Sequence, residues 1–315
     1  MGREVCGFGL DLSTLLSLSS RAAILRPRLY ADLLAIARAA CGHASHASDS
    51  LPVLPFYVRE HIVGWLRPSF ADALRRWPHV FDVQGAYVAM KASPDTPAGR
   101  SAAMAQVTKD LARDGMIRGW RDELVSVTDR YGAPELMRIE RAATRHFGMM
   151  CYGAHLNGFV RANGLEHVWI ARRSANKAID AGRLDNLVGG RIAAGATVDE
   201  TLRKEAWEEA SIPPALLEGV ACVSAVRVEY SVPEGLHREI LFVHDALLPG
   251  DFRPVNQDGE VSEIKRMSLE DVIEQILGGD FTLDAGTVMI DGLLRRGVLP
   301  PEDPVYLELL RLLKP

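Results

Sequence analysis

The sequence has few of the features that mark secreted, membrane-spanning or nucleic-acid-binding proteins. Its 315 residues include only four cysteines, Cys6, Cys41, Cys151 and Cys222, and no two of them form a C-x-x-C pair. This spacing argues against a disulfide framework and against a cysteine-based zinc site. No run of about eighteen apolar residues predicts a membrane-spanning helix. The net charge of -5 provides no attraction to nucleic acid or to an anionic membrane.

Composition and length are those of an ordinary globular chain. Apolar residues make up 48% and charged residues 24% of the sequence, as is typical of folded domains. A chain of this length is expected to form about two domains. The amino terminus carries a short apolar patch without a convincing basic segment or cleavage site, so no export signal is expected. We therefore expect a cytoplasmic protein with reduced thiols, and a homodimer stays open.

The first half of the chain has the mixed signals of a small α+β domain. Helical repeats and short strand-like apolar runs alternate there, at residues 21–40, 56–58, 61–66, 68–77, 80–83 and 101–115. No linker of biased composition separates this half from the next. We place an amino-terminal α+β domain at residues 1–147 and a second domain at 148–315, which ends in a helix over residues 304–313.

One segment of the second domain predicts a short helix with a well-defined start. Thr197 and Glu200 have the S/T-x-x-E spacing of a capping box, so the helix is expected to begin directly after Thr197. Val198, Leu202 and Ala206 recur every four residues and should face the core. Two consecutive prolines end the segment, because proline cannot donate a backbone hydrogen bond and disfavours helical geometry in the preceding residue.

The same helix carries three glutamates. Glu205, Glu208 and Glu209 share one face, because residues three and four positions apart are neighbours on a helix. Such a stripe alone is usually a solvated surface. Its surroundings favour a metal site, since an apolar strand and the pair Gly189-Gly190 precede it. Hard cations such as Mg²⁺ take oxygen ligands of this kind, and we expect Mg²⁺ with Mn²⁺ as a substitute.

Strand, glycine loop and acidic helix together resemble the Nudix box, G-x5-E-x7-R-E-U-x-E-E-x-G-U with U apolar. On this sequence the first glycine is Gly190, and the retained glutamates are Glu205, Glu208 and Glu209. The resemblance implies a Nudix α/β/α sandwich with a mixed sheet that follows the smaller α+β domain. It also implies that these glutamates bind the metal during hydrolysis of a diphosphate.

Three positions depart from that pattern. Ala196 stands where the first glutamate is expected, Lys204 where arginine is expected, and Ser211 where the last glycine is expected. Lys204 keeps a cation beside the glutamates but lacks the planar bidentate fork of arginine. We predict that the catalytic set consists of the three glutamates and Lys204.

Cationic side chains upstream of the box are expected to bind the phosphates of the substrate. Arg172, Arg173 and Lys177 follow the apolar strand, and Gly189 and Gly190 form the loop that should lie beside them. Cations near an anionic substrate add affinity and orientation. The alternative is that these charges merely solvate the end of a strand.

An acidic loop downstream of the box offers further carboxylates. Glu260 and Glu263 lie in the segment Asp-Gly-Glu-Val-Ser-Glu, and the resemblance implies an additional metal ligand there, for which Glu260 is our prediction. The alternative is a solvated turn, as is usual for Asp-Gly segments. The general base stays open among Glu205, Glu260 and Glu263.

A narrower resemblance covers roughly residues 55 to 280. It links this chain to a thiamine-pyrophosphokinase-related subfamily in which another domain precedes the Nudix domain. Its motifs are FxxxxHIVGWLxPxF from residue 56, WPxVF from 77, HFG from 146, YGxHLNG from 152, RRSxxK from 172 and LDNLVGG from 184. The subfamily implies Mg²⁺-dependent hydrolysis of thiamine diphosphate, with toxic oxidised analogues preferred, to the monophosphate and phosphate.

Other functions stay open on the residues alone. The box indicates only a small-molecule diphosphate linked to another group, so ADP-ribose and NADH are alternative substrates. Ala196 favours a catalytically weak module that senses a ligand, whereas the three retained glutamates favour a hydrolase. Neither a nucleic-acid nor a membrane partner is expected.

Overall fold

The computed structural model describes residues 19–41, 52–91, 94–162, 164–177 and 179–315. Cys6 and most of the amino-terminal apolar patch lie outside this part of the chain. The first described element is helix α1, Ser19–Cys41, at the position where a helix is predicted. Within the described residues, no helix is long and apolar enough to cross a membrane.

The first half of the chain forms a small sheet of its own. Its elements are β1 (Leu54–Val58), β2 (His61–Leu66), α2 (Pro68–Leu74), β3 (Phe81–Val83), β4 (Val88–Met90), α3 (Pro97–Arg113), β5 (Leu124–Val127) and β6 (Met137–Glu140). Four strands run in the order β2-β1-β4-β3, and β5 with β6 forms a separate antiparallel pair. Phe56 and Phe147 are fully buried in the core that these elements share. The predicted α+β character is confirmed.

A mixed seven-stranded sheet is the centre of the second half. Its strands are β7 (Cys151–Ala162), β8 (Leu165–Arg173), β9 (Leu184–Asp185), β10 (Val188–Arg191), β11 (Cys222–Val232), β12 (Gly235–Leu247) and β13 (Val261–Ser268). Five of them run in the order β11-β12-β7-β8-β13, while β10 pairs with β7 and β9 with β8. The β7–β12 pair is parallel, whereas β8 and β10 run antiparallel to β7.

Helices cover both faces of this sheet. Helix α4 (Val198–Ala210) packs on one face against Ala154 and Leu156 of β7. Helices α5 (Leu269–Leu277), α6 (Leu283–Arg295) and α7 (Pro304–Leu313) share a core with Val226 and Val243 on the other face. The predicted α/β/α sandwich and its carboxyl-terminal helix are therefore confirmed.

Helix α1 packs with the second half of the chain. Leu33 and Ala37 are fully buried in the core that contains α6 and α7. The side chain of Arg38 also forms an ion pair with Glu308 of α7. The boundary between residues 147 and 148 stays a prediction, but the sandwich includes a helix from before it.

Tight backbone contacts lie at the predicted boundary between the two halves. The Trp65 amide donates to the carbonyl of Phe147 at 3.0 Å, and a Cβ atom at Gly64 would lie 2.2 Å from that same oxygen. Gly148 adopts a φ of +53°, a conformation that glycine reaches without a steric penalty. Farther along, the Ala194 amide donates to the Leu124 carbonyl at 2.8 Å. The β5–β6 hairpin therefore lies beside the loop that leads into α4.

Candidate active site

The start of α4 is set by a complete capping box. The Glu200 amide donates to Thr197 Oγ1 at 3.2 Å, and the Thr197 amide donates to Glu200 Oε2 at 2.8 Å. Leu202 and Ala206 are buried, and Val198 is partly buried. The predicted first residue and inward face of the helix are confirmed, and this inward face also includes the buried Glu209, two turns after Leu202.

The end of α4 is a left-handed residue that is not glycine. Ser211 adopts a φ of +52°, which is uncommon for a residue with a side chain. Its hydroxyl donates to the Val255 carbonyl at 2.5 Å and accepts from Gln257 Nε2 at 2.9 Å. The serine therefore ties the end of the helix to the loop before β13.

Glu209 is a carboxylate held inside the protein. Only 9% of its surface is exposed, and its Oε2 accepts a hydrogen bond from the Gly189 amide at 2.8 Å. Burial raises its pKa to about 8, against the opposing hydrogen bond from Gly189. Asp185 and Glu205 raise the pKa further, and Lys177 lowers it. The positive charge near Glu209 is therefore too small to balance a negative charge on its carboxylate.

Glu205 occupies space that Gly190 leaves free. A Cβ atom at Gly190 would lie 2.2 Å from Cγ and 2.9 Å from Oε1 of Glu205. Burial raises the pKa of the Glu205 carboxyl, and a hydrogen bond from Lys204 opposes that rise. Both loop glycines are predicted to bind phosphate. In the structure the Gly189 amide donates to Glu209, and Gly190, which has no side chain, leaves room for Glu205.

Lys204 and Glu208 form the outer side of the helix. Lys204 Nζ lies 3.1 Å from Glu205 and 2.8 Å from Glu208. Partial burial lowers the pKa of the Lys204 ammonium, but its hydrogen bonds to the two glutamates raise it above the usual value overall. Lys204 is therefore a fixed positive charge beside the glutamates and no source of a proton at neutral pH.

The upstream cations divide into one that faces the glutamates and two with other partners. Lys177 is largely buried near Glu209, and its ammonium forms an ion pair with Glu260. Burial lowers the pKa of Lys177, and Arg173 lowers it further. Arg173 itself binds Asp185 at 2.7 Å, and Arg172 donates to the Gly182 carbonyl at 2.7 Å.

Three residues for which the sequence predicted no role in the site lie in the same region. Asp185 is near enough to Glu209 to raise the pKa of that carboxyl. Arg141 opposes the raised pKa of Glu205, and Arg121 lies 4.0 Å from Glu260. The two arginines come from the β5–β6 region of the first half. No spacing in the chain connects them with α4, so only the fold could reveal them.

A second cluster of titratable groups lies apart from α4. Among the described residues, the one group with metal-ligating atoms all within 4.8 Å of one another is His237, Glu239 and Asp284. Arg191 binds Glu239 at 2.8 Å, and Arg145 Nε donates to His237 Nδ1 at 3.2 Å. A neutral ring that accepts at Nδ1 carries its proton on Nε2. No nitrogen lone pair is then left for a metal, and the cluster is an ion-pair network that joins the two halves.

The donors on α4 fit a hard divalent cation. Glu209 is a buried and Glu205 a partly buried carboxylate, and both have raised pKa values, so their charged forms lack sufficient counter-charge. Glu208 adds a third oxygen donor, although it bonds to Lys204 here and the three carboxylates do not converge on one point. Glu260 bonds to Lys177, so its predicted role as a metal ligand stays a prediction.

Comparison with known proteins finds matches to both halves of the chain. A family model described as NUDIX domain matches residues 156–284, and a domain of unknown function, DUF4743, matches residues 33–151. The Arabidopsis thaliana protein named Nudix hydrolase 24, chloroplastic, is 37% identical over 264 residues, which are 83% of this chain and 72% of the relative. Nudix hydrolase 20, chloroplastic, from the same plant is 35% identical with the same coverage.

Solved structures give a further likeness. DR0079 from Deinococcus radiodurans is 19% identical and covers 54% of this chain and 98% of its own, with a TM-score of 0.40. The alignments with the two plant proteins are longer than either half of this chain. The shared sequence therefore includes residues on both sides of the junction.

Proposed function

This chain belongs to the Nudix hydrolase family, and within that family we propose that it hydrolyses thiamine diphosphate or its oxidised, damaged analogues. The products are the monophosphate and inorganic phosphate, and the metal is Mg²⁺, with Mn²⁺ as a substitute. The reaction class follows from the family, since the two plant relatives are Nudix hydrolases. The thiamine substrate rests on the motifs of residues 55 to 280 that resemble the thiamine-related subfamily.

One observation supports diphosphate chemistry at α4 more than any other. Two carboxylates with raised pKa values, the buried Glu209 and the partly buried Glu205, lie close to the cations Lys177 and Arg141. Carboxylates that lack counter-charge favour a divalent cation, and nearby cations favour a polyanion. A diphosphate with Mg²⁺ satisfies both demands at once.

Each residue has a separate task in this proposal. Glu205, Glu208 and Glu209 would hold the cation, and the Gly189 amide keeps the Glu209 carboxylate in place. When bound, Mg²⁺ supplies charge neutralisation at the phosphates and a lower pKa for attacking water. Lys177 and Arg141 would orient the phosphates. The candidates for the general base are Glu205, Glu260 and Glu263.

The test is phosphate release from a panel of diphosphates. Thiamine diphosphate, an oxidised analogue, ADP-ribose and NADH are incubated with Mg²⁺ or with EDTA. The wild type is compared with Glu209→Gln and with Glu218→Gln, a control at an exposed position beyond the end of α4. We expect thiamine compounds to be hydrolysed, with a loss of at least about 100-fold in EDTA and in Glu209→Gln. The control should keep full activity.

The panel also separates the alternatives. Turnover of ADP-ribose or NADH alone would preserve the role of α4 and reject thiamine as the substrate. If no compound is hydrolysed, the chain is a ligand-binding module. Ala196, which stands where the pattern has its first glutamate, is the sequence feature that favours this alternative. Full activity of Glu209→Gln would reject the assignment of the metal site.

A further inference from the structure

A cavity of about 130 Å³ lies where the two halves of the chain meet. One wall comes from the first half, with Val125 and Tyr131. Tyr152 of β7 lines it from the sheet, and Ile192 and Ala196 line it from the loop that leads into α4. Neither half alone encloses this space.

Three aromatic rings gather beside the cavity. The Tyr131 ring centroid lies 5.0 Å from that of Tyr152 and 4.8 Å from that of Phe242. The rings of Tyr152 and Phe242 are nearly parallel, at 19°. Tyr131 nevertheless remains 55% exposed. A large aromatic side chain so exposed, and already in contact with two others, offers a ring face to a ligand.

The cavity is a short distance from the glutamates. Gly190, which contacts Glu205, is two residues before Ile192, a span of at most about 7 Å in an extended chain. Gly190 also pairs with Ala154, and Tyr152 lies on the same sheet face two residues away. A diphosphate at α4 therefore has this cavity within reach of the group attached to it.

We propose that the cavity receives the organic group of the substrate, an uncharged or cationic heteroaromatic ring that stacks on Tyr131. The inference rests on the proposed function, since it places the diphosphate at α4. Among the residues that the structure describes, no charged side chain lines the cavity, so an anionic group would find no partner there. Aromatic faces attract cations, and an apolar cavity of about 150 Å³ can hold benzene. The volume therefore suits one ring.

One of the three altered positions of the Nudix box lies in the wall of this cavity. Ala196 lines the cavity at the position where the pattern has glutamate. A glutamate there would add four heavy atoms and a negative charge beside the rings. The substitution thus removes volume and charge from the wall that faces the proposed ring.

The experiment measures equilibrium binding with EDTA present, so that no turnover is needed. Isothermal titration calorimetry on the full chain uses thiamine monophosphate and, as a ligand without an aromatic ring, ribose 5-phosphate. The variants are Tyr131→Ala and Tyr131→Phe. The control is Tyr87→Ala, since Tyr87 is 37% exposed and contacts another tyrosine ring at 6.0 Å but does not line the cavity.

We expect Tyr131→Ala to weaken thiamine monophosphate binding by roughly fivefold to tenfold, while Tyr131→Phe and Tyr87→Ala bind like the wild type. Affinity for ribose 5-phosphate should not change in any variant. Equal binding of thiamine monophosphate by Tyr131→Ala and the wild type would overturn the inference, as would an equal loss for ribose 5-phosphate. Binding as expected without any diphosphatase activity would instead reject the proposed function and leave the ring site standing.

Discussion

Replacement of Glu209 by glutamine should stabilise the protein in EDTA at alkaline pH. The pKa of this buried carboxyl is about 8 in the folded chain against 4.5 in the unfolded one. The folded state therefore binds the proton more tightly, and wild-type stability falls as the pH rises from 4.5 to 8. The amide oxygen of glutamine can still accept the hydrogen bond from Gly189, but it carries no charge.

The size of this effect follows from the pKa difference. Each pKa unit corresponds to about 1.36 kcal/mol, so the step from 4.5 to about 8 sets a ceiling of about 5 kcal/mol. Relaxation and water penetration around a buried charge reduce the realised value. We expect a gap in unfolding free energy of about 2 to 4 kcal/mol at pH 8.5, and almost none at pH 4.5.

Urea unfolding in EDTA at several pH values measures the gap. Glu208→Gln is the matched control, because Glu208 is the adjacent glutamate and is more exposed. Glu208→Gln should not be more stable than the wild type, because it removes an exposed ion pair with Lys204 and no buried charge. Mg²⁺ at 1,000 times its Kd should reverse the order of wild type and Glu209→Gln at pH 8.5, since it adds about 4.1 kcal/mol to the folded state that binds it and so exceeds the expected gap. A Glu209→Gln gap that stays constant from pH 4.5 to 8.5 would refute the reasoning.

Three further substitutions have expected outcomes. Ser211→Ala should be about 1 kcal/mol less stable than Ser211→Gly by urea unfolding, because both lose the hydroxyl bonds but only alanine keeps the left-handed strain. Gly190→Ala should fold yet lose diphosphatase activity, because its Cβ would displace Glu205, whereas Gly85→Ala, with open space around it, should not. Arg191→Met should cost about 3 to 5 kcal/mol of unfolding free energy, because it leaves the buried Glu239 carboxylate without its cation.

Sequence patterns predicted those features of the structure that depend only on residues close together in the chain. The capping box is made by two residues three positions apart, so its spacing was sufficient to predict the start of α4. The shared face of the glutamates follows from helix geometry in the same way. The sequence did not single out helix α6, in which residues 285–294 are all buried, including the polar Thr287 and Asp291.

The remaining parts of the site depend on contacts between distant segments. Arg141 comes near Glu205, and Arg121 near Glu260, only because the β5–β6 hairpin lies along the loop after β10. Asp185 belongs to a motif that the sequence did show, yet its proximity to Glu209 follows from the pairing of β9 with β8. The sequence did single out Arg172 and Arg173 as phosphate-binding residues, but in the structure their cationic groups bind a neighbouring carbonyl and a neighbouring carboxylate.

The three departures from the Nudix box do not require a loss of activity, because each of the three residues has a defined contact or position in the structure. Ser211 accepts the left-handed conformation that glycine would adopt freely and uses its hydroxyl to bind the loop before β13. Lys204 replaces the bidentate fork of arginine by bonds from one ammonium group to Glu205 and Glu208. Ala196 gives up a carboxylate on the side of α4 where the aromatic cavity lies. The buried Glu209 carboxyl lowers the stability of the folded chain above pH 4.5 unless a cation is bound. A non-functional helix would gain nothing from this cost, so the burial of Glu209 favours a working metal site.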